Sequence, residues 1–329
     1  MRKRKTIKDV FVYCILLVLV LVILYSGLRI LESTVLHQSE VPAQQGSTKT
    51  ITRDGVDYFP RQDITVMMVL GIDQYGPMVS SNYYRNNGAA DSIMLLVFDE
   101  TAKDCTVLYL NRDTMLTMDV LGVRGEYAGT TYGQVALAHT YGTGLEDSCV
   151  NMKNTLMHFL HGLTVDYYVA MNMDAIPILN DAVGGVTVTV KDDFSKVNPT
   201  ITMGELTLQG DQVIDYVRTR KDVGDQKNVT RMQRQQEYVD GFLKALMAKE
   251  QEDVDFAIGL YEQVAPYIVT DCSATTLSGM LDRYAEFALK EVVTLAGENI
   301  IEDGHYAFYV PYARAPLRLS GGVRRPLQP

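Results

Sequence analysis

Positively charged side chains are concentrated in one short stretch of this chain. Residues 215–236 read DYVRTRKDVGDQKNVTRMQRQQ and carry Arg218, Arg220, Lys221, Lys227, Arg231 and Arg234. Guanidinium groups bind phosphate oxygens through paired hydrogen bonds, whereas an ammonium acts as a point charge. Because the whole chain has a net charge of −10, this cluster indicates a bound anion such as a phosphate ester.

The secondary structure expected for this stretch brings four side chains together. If VRTR is extended, Arg218 and Arg220 point to the same side, because side chains alternate along a strand. With Asn228 as a candidate N-cap, Arg231 is the third residue of the next helix. A cation in a first turn opposes the helix dipole unless an anion binds there. The predicted phosphate-binding residues are Arg218, Arg220, Arg231 and Gln235.

Two further interpretations concern the remaining charges of the stretch. Arg234 lies nearly opposite the apolar side of the helix, and it is expected to be a solvated surface charge. The alternative for the whole cluster is local ion pairing with acids such as Asp222 and Asp225. Pairing within the stretch would remove the need for a ligand.

Three aspartates occupy strand ends elsewhere in the chain. Asp73 follows the apolar run ITVMMVLGI, Asp91 begins DSIMLLVFD, and Asp113 follows CTVLYLN beside Arg112. Functional groups of α/β sheets usually lie at such ends and in the loops that leave them. One such aspartate alone would be read as a turn former, but three indicate a site. Asp73 and Asp91 are candidate ligands of Mg²⁺ or Mn²⁺, since Mg²⁺ commonly takes one or two carboxylates plus phosphate oxygens.

Alternating apolar strands and helices define the expected fold. The runs DSIMLLVFD and CTVLYLNRD are predicted to form an antiparallel hairpin, with both faces covered because both are nearly continuously apolar. Helices are predicted at 145–160, 228–249, 253–265 and 274–290. The apolar seam of the second of these comprises Val229, Met232, Gln236, Val239, Leu243 and Leu246. We expect an α/β fold, a three-layer α-β-α domain with a central mixed sheet, over residues 64–311.

The N-terminus has the composition of a membrane anchor. Residues 1–9 form a basic tail with five lysines and arginines, and residues 10–28 contain no charge. About 20 apolar residues suffice for a transmembrane helix, and this run is longer than the apolar part of a signal peptide. The charge asymmetry predicts a cytoplasmic N-terminus. We expect a single-pass protein of the cell membrane, with an extracytoplasmic stalk at 29–63, an extracytoplasmic catalytic domain, and a basic tail at 312–329.

Composition argues against several other classes of function. An acidic chain with only five basic residues at its N-terminus is a poor nucleic-acid binder, so no nucleic-acid partner is expected. The four cysteines contain no CxxC pair and predict no disulfide framework. The five histidines lie in no recognisable nucleophile motif.

The order of several motifs resembles the LytR-CpsA-Psr family of bacterial cell-envelope proteins. The motifs are VLGID, ADSIMLL, LNRDTML, YVAMNMDAIPILNDAVGGVTVTV, LTLQGDQVIDYVRTRKD and RMQRQQEYV. Together they extend from about residue 64 to about residue 250. The preceding anchor and stalk are also usual for that family.

The resemblance implies an activity and a set of site residues. Family members move glycopolymers, with their phosphate, from a polyprenyl-pyrophosphate carrier to peptidoglycan. Asp73 and Asp91 match the family's metal- and phosphate-associated aspartates, and Arg112 matches the arginine of its RD motif. The R-x-R pair and the R-x-x-R-Q motif are matched by Arg218, Arg220, Arg231 and Gln235. Where the family often has K-I-N-x-A, this chain has Gln134 and Ala136 in place of the lysine and the asparagine.

The resulting expectation is a membrane-anchored glycopolymer–phosphate transferase. Its partners would be the lipid-linked glycopolymer, the peptidoglycan acceptor and the membrane. Asp91 and Asp113 are the candidate general bases, and an apolar pocket between the sheet and the helices would hold the polyprenyl chain. Two alternatives remain open: a hydrolase that cleaves the same pyrophosphate with water, and a non-catalytic sensor that binds lipid-linked precursors.

Overall fold

A computed structural model describes residues 51–53, 56–58, 61, 63–83, 85–226, 228–253, 256–272, 283–284, 287–302 and 304–311. The predicted cytoplasmic tail, the anchor at 10–28, most of the stalk and the tail at 312–329 lie outside these residues. Within the described ranges, no helix is both long and apolar enough to cross a membrane.

The described part of the chain combines strands and helices, as expected for an α/β protein. The strands are β1 (Ile51–Arg53), β2 (Val56–Tyr58), β3 (Ile64–Ile72), β4 (Ala90–Asp99), β5 (Asp104–Leu110), β6 (Met115–Leu121), β7 (Tyr127–Gln134), β8 (Tyr167–Asn172), β9 (Val186–Val190), β10 (Gly204–Leu208), β11 (Ile268–Thr270), β12 (Ala288–Thr294), β13 (Glu298–Glu302) and β14 (His305–Tyr309). The helices are α1 (Glu146–Phe159), α2 (Ala175–Ala182), α3 (Gln212–Arg218), α4 (Asn228–Glu252) and α5 (Phe256–Val264).

The centre of the fold is a six-stranded mixed sheet with the order β11-β8-β3-β4-β5-β12. Strand β4 is antiparallel to both β3 and β5, whereas β8 runs parallel to β3 and β12 runs parallel to β5. The predicted hairpin of β4 and β5 is therefore confirmed. Four two-stranded ribbons accompany the sheet in the described part of the chain: β1–β2, β6–β7, β9–β10 and β13–β14.

Both faces of the sheet are buried, which explains why its strands read as continuous apolar runs. On one face, Met67 and Val69 of β3 pack with residues of α2, α3, α4 and α5. On the other face, Met68 and Leu70 pack against α1, for example against Leu156. The three-layer α-β-α arrangement predicted from the sequence is confirmed.

Helix α4 buries part of the predicted seam and two aromatic residues beside it: Met232 and Leu246 are in the core, and Val239 packs against it. Its buried apolar residues are Met232, Tyr238, Phe242 and Leu246. Gln236, which the prediction placed in the seam, instead lines a polar groove beside the β9–β10 ribbon. The prediction was wrong for Gln236 and missed Tyr238 and Phe242, because it followed aliphatic spacing, whereas large aromatic rings contribute more apolar surface to burial.

The end of the domain consists of strands where helices were expected. The helix predicted at 274–290 lies mostly outside the described residues, but residues 288–290 belong to β12, which pairs in parallel with β5. The prediction was wrong for these residues, since the open edge of β5 offers a row of backbone groups that an added strand can satisfy. The β13–β14 hairpin follows and was not predicted.

Candidate active site

Three strand ends meet at one edge of the central sheet. Asp73 directly follows β3, Asp91 is the second residue of β4, and Arg112 and Asp113 follow β5. The antiparallel register pairs Ile72 with Ala90 and Ile93 with Leu110, so all of these ends lie at the same edge. Because neighbouring strands are about 4.8 Å apart, the aspartates form a row across three adjacent strands.

Four arginines pair with this row of aspartates. Nη2 of Arg218 lies 2.9 Å from Oδ1 of Asp73, at the β3 end. In the middle, Nη1 of Arg231 lies 3.1 Å from Oδ2 of Asp91. At the β5 end, Nη1 of Arg220 lies 3.4 Å from Oδ2 of Asp113. Arg112 joins the last two positions, as it bonds to Asp91 and its Nε lies 3.5 Å from Asp113.

The two arginines of the VRTR stretch do not lie on one extended strand: Arg218 belongs to a helix, and Arg220 follows it. Arg218 is the last residue of helix α3, and the capping residue Thr219 is extended, at φ −67 and ψ 132. The predicted extended segment with one shared face was therefore wrong. The helix continues to Arg218 because Val213, Ile214, Tyr216 and Val217 bury an apolar side against the core. As a result, Arg218 and Arg220 bind opposite ends of the row.

Arg234 is a second correction to the sequence-based interpretation. Its side chain is only 8 % exposed, and its guanidinium donates to the carbonyl of Tyr216, at 2.8 Å, and to that of Thr219. Its Cζ lies 5.1 Å from the ring centroid of Phe194. The expected solvated charge instead fastens the C-terminal end of α3, the end that carries Arg218. The three-residue spacing from Arg231 was the available signal for two inward-facing arginines on one helix.

Gln235 lies next to the row without touching its carboxylates. Its Nε2 donates to the carbonyl of Val217 at 3.1 Å, so it also holds the end of α3. The same side chain lines an apolar cavity of about 180 Å³ between the sheet and helices α2, α3 and α4. The other lining residues are Met67, Val69, Leu70, Gly71, Ser92, Met94, Leu96, Val107, Tyr109, Met171, Ile176, Leu179, Val217, Tyr238, Val239 and Phe242.

One end of the cavity, called its mouth below, lies beside the charged row. Gly71 lies two residues before Asp73, Ser92 follows Asp91, and Val217 precedes Arg218. The apolar cavity therefore adjoins the cluster of arginines at this edge of the sheet. Such a site suits a ligand with a phosphate head and a hydrocarbon tail.

Electrostatics at the site leave one positive charge in excess over the three aspartates. Burial lowers the pKa of Arg231, although the carboxylate of Asp91 opposes this effect. Burial raises the pKa of Asp113, and the positive charges of Arg112 and Arg220 act in the other direction. A cluster of partly desolvated guanidinium groups with excess positive charge favours an added phosphate.

Comparisons with known proteins identify the family of the chain. A model of the LytR_cpsA_psr family matches residues 30–316. The chain belongs to the LytR-CpsA-Psr family. The teichoic acid transferase TagU of Halalkalibacterium halodurans is 24 % identical over 289 residues, which cover 87 % of this chain and 86 % of TagU.

Solved structures of LytR-CpsA-Psr proteins share the fold. TagV of B. subtilis aligns with 79 % of this chain and 96 % of its own, at 18 % identity and a TM-score of 0.57. TagT bound to LIIa-WTA aligns with 84 % of this chain and 93 % of its own, at 23 % identity and a TM-score of 0.55. At these identities the likeness supports the fold, a mixed sheet covered by helices.

The metal prediction rests on the same LytR-CpsA-Psr site. Among the described residues, no group of three or more His, Cys, Asp or Glu side chains could hold an ion. Asp73 and Asp91 stand on neighbouring strands, and each already bonds to an arginine. Two carboxylates fit Mg²⁺ only when phosphate oxygens and water complete its shell. A divalent ion at Asp73 and Asp91 therefore stays a prediction, and it would arrive with the substrate.

Three site residues of this LytR-CpsA-Psr chain were missed at the sequence level or left without a role. Nε2 of Gln134 donates to Oδ1 of Asp113 at 3.0 Å and to the carbonyl of Tyr306 at 2.7 Å. The guanidinium of Arg220 lies 4.6 Å from the ring centroid of Tyr306, and that of Arg218 lies 5.9 Å from the ring of Tyr75. The departure from K-I-N-x-A at Gln134 was the one available signal.

Proposed function

We propose that the chain is a glycopolymer–phosphate transferase that moves a glycopolymer with its phosphate from a polyprenyl-pyrophosphate carrier to peptidoglycan. The observation that carries the proposal is that the apolar cavity adjoins the arginine row. A polyprenyl pyrophosphate has the same two parts, a hydrocarbon chain and two adjacent phosphates. The name of TagU, a polyisoprenyl-teichoic acid–peptidoglycan teichoic acid transferase, supports the same reaction.

The residues of the row have distinct tasks in this reaction. Arg218, Arg220 and Arg231 bind oxygens of the pyrophosphate, and Arg112 stabilises the charge that develops on the transferred phosphoryl group. Gln235 and Arg234 keep the end of α3 in place, which positions Arg218. Carboxylates already hold Arg220 and Arg231 in place, so these two groups need little reorganisation when the phosphates enter.

The proposed transfer is a substitution at phosphorus. The oxygen of an acceptor hydroxyl forms a bond to the phosphorus that carries the glycopolymer, and the bond from this phosphorus to the bridging oxygen breaks. The bridging oxygen keeps the electron pair and leaves as polyprenyl phosphate. The acceptor proton goes to a carboxylate of the site or to a phosphate oxygen, because a loose transition state needs little help from a base.

The candidate bases differ in their accessibility. The side chain of Asp113 is 3 % exposed and bonds to Arg220 and Gln134, while that of Asp73 is 28 % exposed. The side chain of Asp91 is 7 % exposed and pairs with Arg112 and Arg231, but it lies next to Ser92 at the cavity mouth. Asp91 is therefore the better placed of the two predicted bases, and Asp113 acts by holding Arg112 and Arg220.

A divalent cation, Mg²⁺ or Mn²⁺, would neutralise charge on the two phosphates when it is bound by Asp73 and Asp91. Asp73 pairs with an arginine that is 43 % exposed, so this ion pair can open when a cation and a phosphate enter together. Membrane attachment through residues 10–28, with the N-terminus in the cytoplasm, belongs to the same proposal, because it places the cavity on the side of the membrane where peptidoglycan lies.

Product analysis tests the proposal. The full chain in detergent is incubated with Mg²⁺, a polyprenyl-pyrophosphoryl oligosaccharide and peptidoglycan oligomers, and products are followed by mass spectrometry. A transferase yields acceptor carrying glycan-phosphate together with polyprenyl phosphate, and both products disappear in Arg218→Ala. Cleavage of the lipid without a modified acceptor would establish the hydrolase instead. An intact lipid that binds equally to wild type and Asp91→Asn would establish the sensor.

A further inference from the structure

A tyrosine ring lies beside the arginine at each of the two ends of the charged row. At the β3 end, Arg218 pairs with Asp73 and lies 5.9 Å from the ring centroid of Tyr75. At the β5 end, Arg220 pairs with Asp113 and lies 4.6 Å from the ring centroid of Tyr306. The two strands are separated only by β4, so the rings bracket a row about 10 Å long.

The cavity mouth belongs to only one of these ends. At the level of the mouth its wall is formed by Gly71 of β3 and Ser92 of β4, which face each other in the register. The lining residues of β5, Val107 and Tyr109, lie deeper, because Tyr109 pairs with Met94. A hydrocarbon chain in the cavity therefore leaves beside Asp73 and Arg218, and the β5 end is free for the rest of the substrate.

At the β5 end, several hydrogen bonds connect the row to the C-terminal hairpin of β13 and β14. The amide of Phe308 donates to the carbonyl of Asp113 at 2.8 Å, which attaches β14 to the segment after β5. Gln134 bonds at once to the carboxylate of Asp113 and to the carbonyl of Tyr306. The backbone at Tyr306 is thus held from β5 and β7, and its ring lies against Arg220.

From this geometry we infer that Tyr306 is a specificity-determining residue that stacks on a sugar ring of the peptidoglycan acceptor. The inference rests on the proposed function. The ring is half-buried, so it keeps an exposed part while Arg220 lies against it. Aromatic faces carry partial negative charge and attract the slightly positive C–H groups of a sugar, as they attract the guanidinium.

On this inference, the acceptor hydroxyl approaches the phosphorus from the side opposite the leaving group. The polyprenyl phosphate departs toward the cavity at the β3 end, and the attacking oxygen has to approach from the opposite side of the phosphorus. A sugar held by Tyr306 at the β5 end comes from that side. Gln134 acts on this reaction through its bonds to Asp113 and Tyr306 and is a positioning residue.

The test separates acceptor binding from phosphate binding. In the transfer assay with the full chain, the acceptor KM and the lipid KM are measured for wild type, Tyr306→Ala and Tyr306→Phe, with Tyr127→Ala as the control. Tyr127 is an exposed tyrosine on β7, one strand of the ribbon that also carries Gln134. Tyr306→Ala is expected to raise the acceptor KM at least about tenfold and to change the lipid KM less than about twofold. Tyr306→Phe and Tyr127→Ala are expected to match the wild type within about twofold.

Direct measurements of binding affinity test the inference even if the protein catalyses a different reaction. Titration calorimetry measures the affinity of the same four proteins for inorganic pyrophosphate and for a short peptidoglycan glycan oligomer. Loss of glycan binding in Tyr306→Ala with unchanged pyrophosphate binding supports the inference, even if wild type transfers nothing and the proposed function fails. Equal glycan binding by wild type and Tyr306→Ala would overturn it. An equal loss for glycan and pyrophosphate would also overturn it, since the ring would then serve only to hold Arg220.

Discussion

Nη1 of Arg231 lies 3.1 Å from Oδ2 of Asp91, and the two side chains are 4 % and 7 % exposed. This buried ion pair stands in the middle of the row, between the ends held by Arg218 and Arg220. A buried pair with further hydrogen bonds is expensive to break, because removal of one partner leaves the other charge in a poorly solvated place. The pair therefore serves the fold as well as the binding of phosphate.

Replacing Arg231 tests this double role. We expect Arg231→Ala to lower the free energy of unfolding by about 3 kcal/mol and to abolish transfer. The matched variant Arg218→Ala removes an arginine from a pair that is 43 % and 28 % exposed, so it should cost less than about 1 kcal/mol while it also abolishes transfer. Urea unfolding and product analysis of both variants provide the measurements. Equal destabilisation by the two substitutions would contradict this distinction.

Arg234 offers a test of positioning. Arg234→Ala leaves the carbonyls of Tyr216 and Thr219 without their donor, and we expect a loss of about 2 kcal/mol in unfolding free energy. The end of α3 should loosen, so the affinity for inorganic pyrophosphate should fall about tenfold although Arg234 does not belong to the row. Lys244→Ala, at an exposed position of the same helix, is the control and should leave both quantities unchanged. Titration calorimetry measures the affinity of each variant for pyrophosphate. An unchanged affinity in Arg234→Ala would refute the positioning role.

The apolar cavity predicts a selective effect on the lipid. Val239 lines the cavity from α4 and is half-buried, so the larger ring of Val239→Phe should occupy part of its about 180 Å³. We expect the affinity for a polyprenyl pyrophosphate to fall at least about tenfold and that for inorganic pyrophosphate to stay unchanged. Val239→Ala widens the same place and serves as the matched control. A parallel loss of both affinities in Val239→Phe would mean that the variant disturbs the row rather than the cavity.

The buried carboxyl group of Asp113 should make the free energy of unfolding depend on pH. Burial raises the pKa of its carboxyl, so this group favours the folded state below the unfolded pKa of about 4 and loses that contribution as the pH rises through the folded pKa. The unfolding free energy of wild type relative to Asp113→Asn should therefore decrease from about pH 4 upward. Urea unfolding between pH 3.5 and 7 measures this difference. If the difference instead grows with pH, the arginines around Asp113 outweigh its burial.

Much of the frame was predictable from local pattern. The apolar runs of β3, β4 and β5 predicted a sheet covered on both faces, and the strand ends predicted where Asp73, Asp91 and Asp113 would gather. Arg231 was predicted from its place near the start of α4, where a cation is unfavourable without an anion. The structure brings these residues together because short-range periodicity and the shared edge of adjacent strands determine their places, while the binding of phosphate by Arg231 stays a prediction.

The remainder depended on contacts between distant segments. Arg234 binds carbonyls 15 and 18 residues earlier in the chain, and no helical wheel can reveal such partners. Tyr306 reaches Gln134 across 172 residues, through a C-terminal hairpin whose sequence carries no motif. Arg218 was assigned to an extended segment because two arginines at alternate positions suit a strand, whereas the burial of Val213 and Tyr216 continues the helix.

The central claim is that the phosphate moves together with the glycopolymer. The most direct measurement uses a polyprenyl-pyrophosphoryl oligosaccharide with ³²P only in the phosphate that is bonded to the sugar, incubated with the full chain, Mg²⁺ and peptidoglycan oligomers. The account predicts that the label appears in the peptidoglycan, bonded to the transferred glycan, and that Arg231→Lys and Arg218→Ala reduce it strongly. Label that remains with the lipid, or that is found only in water-soluble glycan-phosphate, would contradict the account.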